Sequence, residues 1–482
     1  MSPLPPDSPQ ALYHSVPQIP EDSGSEIALD GETEDAPLDR PAELIDNKIK
    51  WINFILGCAV LLPWNVIITA MPYFVSRLQG SSLKTTFGSY MTTTFTLSNF
   101  IFLAHATLTS KRTRPSTRTR SMILWLLVLN AFLTFSTFFT PSAGLFAIFV
   151  LFNGATQAAA GAYFQTSTIA VASLFGPSAV QAMMSGQAAV AVAVSGVQVI
   201  SSASSVYGKP RNFAGDGSAE ERSAFVFFLL STIFLVCAYM AHEHLVRMPL
   251  YTHIAGSLEE DAPKITLGGA NDGHRHRSAS RGPSEVMEES SNVLRIAKAN
   301  VAYEVAVACV FMITLSVYPP ITLSVQPTNP ATHPLLFSAI HFLVFNLGDF
   351  LGRYACSFPF MMVWSGSRIL AISFARVLFI PLFLLCNVQR PSSADPTPPF
   401  INSDIAFFCI LFTFGWSNGW VSSLCMMAAP SVEHNPKLKG RVADVDVAAT
   451  VASFCLVAGL VLGSMASFAV RSAICNCNPF TL

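Results

Sequence analysis

The sequence predicts an all-α polytopic membrane protein of eleven transmembrane helices, and three observations predict it. The 482 residues are 51% hydrophobic and only 12% charged, whereas soluble domains carry about a quarter charged residues. From Ser121 to Gly208 there is no Asp, Glu, Lys, Arg or His, which leaves room for about three or four crossings at ~20 apolar residues each. Runs such as LLVLNAFLTFSTFF (126–139) lack the every-second-residue alternation of a membrane β-barrel strand.

Taken in order, residues 1–46 hold eleven acidic residues and one arginine among many Pro and Ser. That composition reads as a disordered acidic tail, and no basic segment with a short apolar core marks a cleaved signal peptide. Apolar, helix-length runs then place spans near 51–76, 86–109, 120–140, 144–172, 177–206 and 223–246. Residues 247–298, polar and rich in Gly and Ser, read as a second disordered loop. Five more spans follow near 300–324, 334–360, 368–389, 403–429 and 446–471. The chain thus divides into 47–246 and 299–482, joined by that loop.

Orientation follows from Lys and Arg, which concentrate on the cytoplasmic side. With the N-terminus inside, nineteen of the 28 fall on inner segments and seven on outer ones, while Arg353 and Arg376 lie within spans. The count favours a cytoplasmic N-terminus and cytoplasmic loop, and an extracellular or lumenal C-terminus. The cluster KRTRPSTRTR (111–120) is mainly this anchoring signal, with anionic membrane lipid as a lesser partner. A net charge of −1 and no basic run among aromatics give no sign of nucleic acid. Most of the ten cysteines sit inside spans (Cys58, Cys237, Cys309, Cys409, Cys455), as small apolar core residues. Cys475 and Cys477 lack the spacing and His partners of a zinc site, and would form a disulfide only if that end lies outside. No metal, cofactor or obligate protein partner is expected.

Costly residues inside spans point to function. In HFLVFNLGDFLGRY (341–354), Asn346, Asp349 and Arg353 fall on one helical stripe, and the last two stand at i, i+4, where they can pair. A carboxylate accepts from hydroxyls and a guanidinium donates to them, so this stripe suits a hydroxylated ligand beside an aqueous path. The alternative is a self-neutralising pair that glues two helices together. Gly161 and Gln165 share a face in GAYFQTSTIA (161–170), a glycine clearing room beside a carboxamide suited to the edge of a heterocyclic base. An interhelical hydrogen bond competes with that reading. Ser185, Ala189 and Ala193, four apart, read as close helix packing. In the first span, Pro63 of LLPWN (61–65) removes a backbone hydrogen bond and bends the helix, freeing a carbonyl that needs a protein-lined or wet site. Trp64 and Asn65 beside it suit a stacking surface and a polar handle. His242, Glu243 and His244 do not form the HExxH pattern of a metalloenzyme and read as an interfacial cluster.

Several of these stretches together resemble one family. ILGCAVLLPWNVIITAMPYF (55–74) is similar to the first span of the equilibrative nucleoside transporters, solute carrier family 29. GAYFQTSTIAVASLFGPSAVQAMMSGQA (161–188) resembles the fourth and fifth, and FNLGDFLGR (345–353) the eighth. ARVLFIPLFLLCN (375–387), WSNGWVSSLCMMAAPSV (416–432) and AGLVLGSMASF (458–468) resemble the ninth to eleventh. The resemblance implies a major-facilitator-like fold of six-helix and five-helix bundles around a central site. It implies passive, alternating-access movement of nucleosides such as adenosine and uridine, and sometimes of nucleobases, with no enzymatic activity. It also implies that Leu61, Trp64, Met91, Gly161, Gln165, Phe311, Phe342, Asn346, Asp349, Arg353 and Leu460 bind substrate, Gln165 at the base and Asp349 and Arg353 at the ribose hydroxyls. Ile68 and Trp420 depart from the family pattern, and Ile68 leaves the base preference open.

Topology also suggests a gate. Arg120 begins the third span and Asp446 the eleventh, both on the inner side, so a salt bridge between them is expected to hold the inner end shut. Asp446 alternatively complements its own helix dipole. Glu304, His341 and Asp349 are the titratable groups near the path, His341 being expected as a structural hydrogen-bonder. A proton-coupled symporter and an organic-cation or monoamine carrier of the same family stand as alternatives. The paired Arg353 weighs against a cation site at Asp349. No ATP-binding P-loop is present, and the plasma membrane and the vacuolar or lysosomal membrane both fit.

Overall fold

The structure, a computed structural model, describes residues 47–207 (82 and 85 excepted), 218–260, 283–318, 321–329, 332–388 and 399–475. The acidic tail and the centre of the 247–298 stretch lie outside the described residues, as does the side chain of Cys475 and all of Cys477.

The described chain is nearly all helix. The first span comprises α1 (Asn47–Thr69) and α2 (Met71–Arg77), followed by α3 (Phe87–Leu108), α4 (Pro115–Ser136), α5 (Ala143–Leu174), α6 (Pro177–Tyr207) and α7 (Ser218–Val246). A short α8 (Pro249–Glu260) precedes α9 (Pro283–Val317), α10 (Pro334–Ala355), the paired α11 (Gly366–Ala375) and α12 (Phe379–Leu384), α13 (Asp404–Ala428) and α14 (Val445–Cys475). Among the described residues, ten helical segments are long and apolar enough to cross a membrane. The second expected span, α3, has 22 residues, but SYMTTTFTLSN (89–99) keeps it less apolar than the ten.

Local chemistry sets the ends. Proline opens α4, α6, α8, α9 and α10, where the missing N–H costs nothing and φ is already helical. Gly176, at φ 97°, turns the chain between α5 and α6. The Ser403 hydroxyl caps α13 by accepting from the Ala406 N–H, as N-cap residues do.

Three expectations are corrected. First, Asn65 is not a free polar handle: α1 continues through Pro63, and the Asn65 amide donates to the Leu61 carbonyl of its own helix at 2.9 Å. The first span is interrupted at Ala70, after which Pro72 lies in the first turn of α2. Second, the ninth span is not continuous, because a 3₁₀ turn at Arg376–Leu378 separates α11 from α12. Third, part of the expected loop is ordered as α8, with Tyr251 and Ala255 buried and Thr252 and His253 exposed. The reason lies far away in sequence. Arg114 stands at the N-cap of α4 and makes no side-chain cap. Glu259 supplies it, accepting from the Ser116 N–H at 2.9 Å and the Ser116 hydroxyl at 2.8 Å, a carboxylate at the positive end of a helix. The Tyr251 hydroxyl donates to the same carboxylate at 2.7 Å. Burial, and then Glu259, push the Tyr251 phenol up, so it remains a donor.

Packing is tightest where glycines admit backbones. On α10, a Cβ at Gly348 or Gly352 would meet the carbonyl oxygens of Phe412 and Trp416 on α13, and one at Gly415 or Gly419 would meet those of Phe345 and Asp349. This reciprocal set seats α13 directly against Asp349. Within the first part of the chain α1 packs on α6, α3 and α4 on α5, and α4 on α7. Within the second, α9 packs on α14, α11 and α13. Across the two parts, α10 lies on α6, and α14 lies on α5 and α3.

Gly419→Ala is expected to destabilise the purified protein by about 1–3 kcal/mol, the usual cost of overpacking. Gly161→Ala is expected to leave its melting temperature unchanged, since a Cβ there meets nothing within 4 Å. Thermal unfolding in detergent, followed by intrinsic fluorescence, separates the two.

Candidate functional site

The centre of the site is Asp349. Its two carboxylate oxygens have separate partners. Arg353 Nε donates to Oδ2 at 2.9 Å along the same helix, and Asn418 of α13 donates to Oδ1 at 2.6 Å. Asn418 in turn accepts from the Thr314 hydroxyl of α9 at 2.7 Å. The Thr314 oxygen accepts from Arg376 Nη2 at 2.9 Å. Arg376 is fully buried. It also donates to the Val310 carbonyl at 2.7 Å and the Ser417 hydroxyl at 3.0 Å, and its guanidinium stacks 4.8 Å from the Phe414 ring. One carboxylate and two guanidinium groups therefore form a continuous chain through α9, α10, α13 and the 3₁₀ turn after α11.

This network reaches the first part of the chain at the α6–α10 contact. Arg353 Nη1 donates to the Met184 carbonyl of α6 at 3.2 Å. The Gln181 amide donates to the Arg353 carbonyl at 3.2 Å and to the Ser185 hydroxyl at 2.9 Å, which gives Ser185 a bonding role beside the close packing expected there. Asn346 donates to the Ala191 carbonyl at 3.3 Å. A second crossing joins α5 to α14, where the Gln165 amide donates to the Ser453 hydroxyl at 2.8 Å. The Gly161 side of α5, one turn away, opens onto free space.

The remaining expected residues are placed as follows. Trp64 is half-buried, its ring 4.9 Å from Phe95 of α3. Leu61 and Leu460 are half-buried. Met91 is fully buried, packed beneath Gly154 of α5, so it props α3 on α5. Phe311 is buried, and Phe342 sits edge-on to Tyr318 at 5.7 Å. His341 is not the hydrogen-bonder expected of it. It is 1% exposed with no partner at either ring nitrogen, stacked on Tyr318 at 5.0 Å. Aromatic contact has replaced polar contact there.

The expected Arg120–Asp446 pair is not made. Arg120 turns toward α7, where Glu243 lies at 3.1 Å and the Tyr239 hydroxyl accepts at 3.1 Å. His242 meets the Ser116 carbonyl at 3.1 Å, so His242 and Glu243 both join α7 to the start of α4, while His244 is exposed. Asp446 faces Lys111 at 3.8 Å instead, and Lys111 donates to the Ala443 carbonyl at 3.0 Å. The end bearing the α3–α4 and α13–α14 connections is thus tied across the two parts of the chain, through a lysine nine residues earlier than expected. A small pocket beside this tie is lined by Lys111, Arg118, Thr166, Ser167, Leu258 and Asp446.

Sequence reasoning missed Asn418, Arg376, Thr314 and Ser453. Arg376 carried a usable signal, being a second arginine inside an apolar span. Asn418 and Ser453 carried none, because a lone amide or hydroxyl in a small-residue helix is ordinary.

A family model described as Nucleoside transporter matches residues 147–472. The rat protein named equilibrative nucleoside transporter 1 is 27% identical over 473 residues, covering 89% of this chain and 98% of its own. The human equilibrative nucleoside transporter 2 is 26% identical over 468 residues, covering 87% and 96%. Among solved structures, the E. coli fucose:proton symporter FucP, a major facilitator superfamily transporter, superposes with a TM-score of 0.51 at 11% identity, covering 89% of this chain and 94% of that one.

Asn418→Leu is expected to destabilise the protein by about 1–3 kcal/mol, since it leaves Asp349 and Thr314 short of a buried partner. Thr314→Val added to it is expected to cost less than the sum of the two single changes, because they share one chain of bonds. Melting curves of the four proteins give the coupling.

Proposed function

The chain belongs to the nucleoside transporter family, and we propose that it is a facilitative nucleoside carrier working by alternating access. The observation that carries this reading is the Asp349 centre. It is a buried, preorganised group whose partners lie on its own helix and on α13, while Arg353 beside it reaches across to α6.

A nucleoside is neutral and polar, and it loses hydration on entering an apolar interior. Asp349 accepts from the ribose hydroxyls and Arg353 donates to them, replacing that hydration with groups already in place. Without substrate the pair satisfies itself, so the empty site does not hold a bare charge. Gln165 presents donors and an acceptor to the base, with space beside Gly161 to receive it. Leu61, Trp64, Met91, Phe311, Phe342, Asn346 and Leu460 complete the binding surface in this reading, with Met91 acting through packing.

The two moving bodies in this reading are the six-helix bundle of 47–246 and the five-helix bundle that begins near 299. Their polar contacts across α6–α10 and α5–α14 are few, and several go to backbone carbonyls, which offer new partners when helices shift. With the N-terminus in the cytoplasm, as the basic residues favour, the Lys111–Asp446 tie closes the inner side. The site then faces outward, and breaking the tie lets one bundle rock against the other. The plasma membrane and the vacuolar or lysosomal membrane fit this arrangement equally.

Saturable uptake of radiolabelled adenosine or uridine into proteoliposomes tests the proposal, with Asp349→Ala and Gln165→Ala alongside. Asp349→Ala is expected to abolish uptake, and truncating one partner of a buried pair costs about 3–5 kcal/mol. Gln165→Ala is expected to raise KM with less effect on the maximal rate. Transport of an organic cation and of neither nucleoside would overturn the reading.

A further inference from the structure

We propose that the small pocket beside the Lys111–Asp446 tie binds a phosphate group between Lys111 and Arg118, and that the bound anion releases Asp446 and loosens the tied end. Binding stands apart from the nucleoside-carrier reading; only its effect on uptake rests on that reading.

Arg118 is the residue that calls for a ligand. It lies near the start of α4, lines the pocket and is 7% exposed. Its Nη2 donates to the Ala106 carbonyl at 3.2 Å and its guanidinium lies 4.7 Å from the Tyr163 ring, while Nε meets no partner. A guanidinium carries five N–H donors, and leaving them unmet in a buried place is costly. The other two buried arginines among the described residues are satisfied. Arg353 holds Asp349, and Arg376 spends its donors on Val310, Thr314, Phe414 and Ser417. Lys111 also has donors to spare. Its ammonium gives one to the Ala443 carbonyl at 3.0 Å, and Asp446 at 3.8 Å is an ionic neighbour beyond hydrogen-bond reach.

Neighbouring charges do not fill the pocket. Glu259, next to the lining Leu258, is spent on Ser116 and Tyr251. Arg120 turns to Glu243, and Asp444 holds Arg295 and Arg441. The Thr166 and Ser167 hydroxyls line the pocket but donate to the Ala162 and Tyr163 carbonyls at 2.8 Å, so they accept from a water or a protonated phosphate oxygen. Among the lining residues Asp446 is then the one anion against two cations.

That balance selects the ligand. Asp446 is tethered beside Lys111, so a monovalent anion from solution competes poorly with it. A phosphate monoester or inorganic phosphate carries about −1.5 to −2 at pH 7. It meets both cations at once, and the planar guanidinium takes two of its oxygens. Its charge also repels the Asp446 carboxylate, which gives up Lys111. Lys111 and Arg118 belong to the first part of the chain and Asp446 to the second. The exchange therefore replaces a tie between the parts with bonds inside one of them.

The test begins with equilibrium dialysis of the purified full chain against radiolabelled inorganic phosphate at constant ionic strength. Saturable binding of one phosphate per chain is expected, lost in Arg118→Gln, retained in part by Arg118→Lys, and tightened several-fold by Asp446→Asn. In proteoliposomes of phosphatidylcholine, phosphate on both sides is expected to raise the rate of adenosine exchange, with no such response in Arg118→Gln or in Asp446→Asn. A rise that appears only when phosphatidic acid is added to the vesicles, and that Arg118→Gln removes, assigns the phosphate group to a lipid headgroup. Equal phosphate binding by the parent and Arg118→Gln overturns the site, as does a parent that answers neither phosphate nor phosphatidic acid. Phosphate binding with no adenosine or uridine transport under any condition upholds the site and fails the nucleoside reading.

Discussion

A carboxylate and two guanidinium groups cannot be left bare inside an apolar bundle, and much of the C-terminal part of this chain is arranged around that constraint. Asp349 sits between Arg353 and Asn418, and Asn418 leads through Thr314 to Arg376. The excess positive charge is spread over the carbonyls of Met184, Val310 and Phe414 and over the Phe414 ring. Asn418 reaches Asp349 because glycines on α10 and α13 let the two backbones meet. Arg376 opens the 3₁₀ turn after α11 and donates from there to Thr314. Electrostatics, close packing and a helix break thus serve one arrangement.

The same arrangement sets a dense polar network beside a sparser one. Around Asp349 the polar groups of the second part of the chain are held by several partners each. Across to the first part the described polar ties are few: Arg353 and Asn346 to carbonyls of α6, Gln181 of α6 to the Arg353 carbonyl, Gln165 to Ser453, and Lys111 to the Asp446 region. A body held together by a dense network, and attached to its neighbour by a handful of exchangeable bonds, is what rocking movement requires.

The fold class and the stripe Asn346–Asp349–Arg353 were legible in the sequence because membrane burial imposes local rules. A span must be apolar over its whole length, and a charge within it must find a partner, here one turn away on the same helix. The Gly161–Gln165 face was legible for the same reason of spacing. Where the partner lay elsewhere in the chain, local reading lost its grip. Arg120 was assigned to Asp446 by side and sign, yet Glu243 and Tyr239 of α7 were nearer. Helix α8 reads as loop locally because Ser116, the residue whose helix end its Glu259 caps, lies 143 residues away.

What the sequence by itself determined was therefore the order of the apolar segments, the charge that favours their orientation, and the pairing within one helix turn. What only the tertiary structure decided was who meets whom between helices: Asn418 on Asp349, Arg376 on Thr314, Ser453 on Gln165, and Lys111 in place of Arg120 at the tied end. The physical reason is reach. Intrahelical contacts follow from the pitch of the helix and are written into residue spacing. Interhelical ones depend on how closely two backbones approach and how the helices are rotated, and those are set by packing summed over the whole bundle.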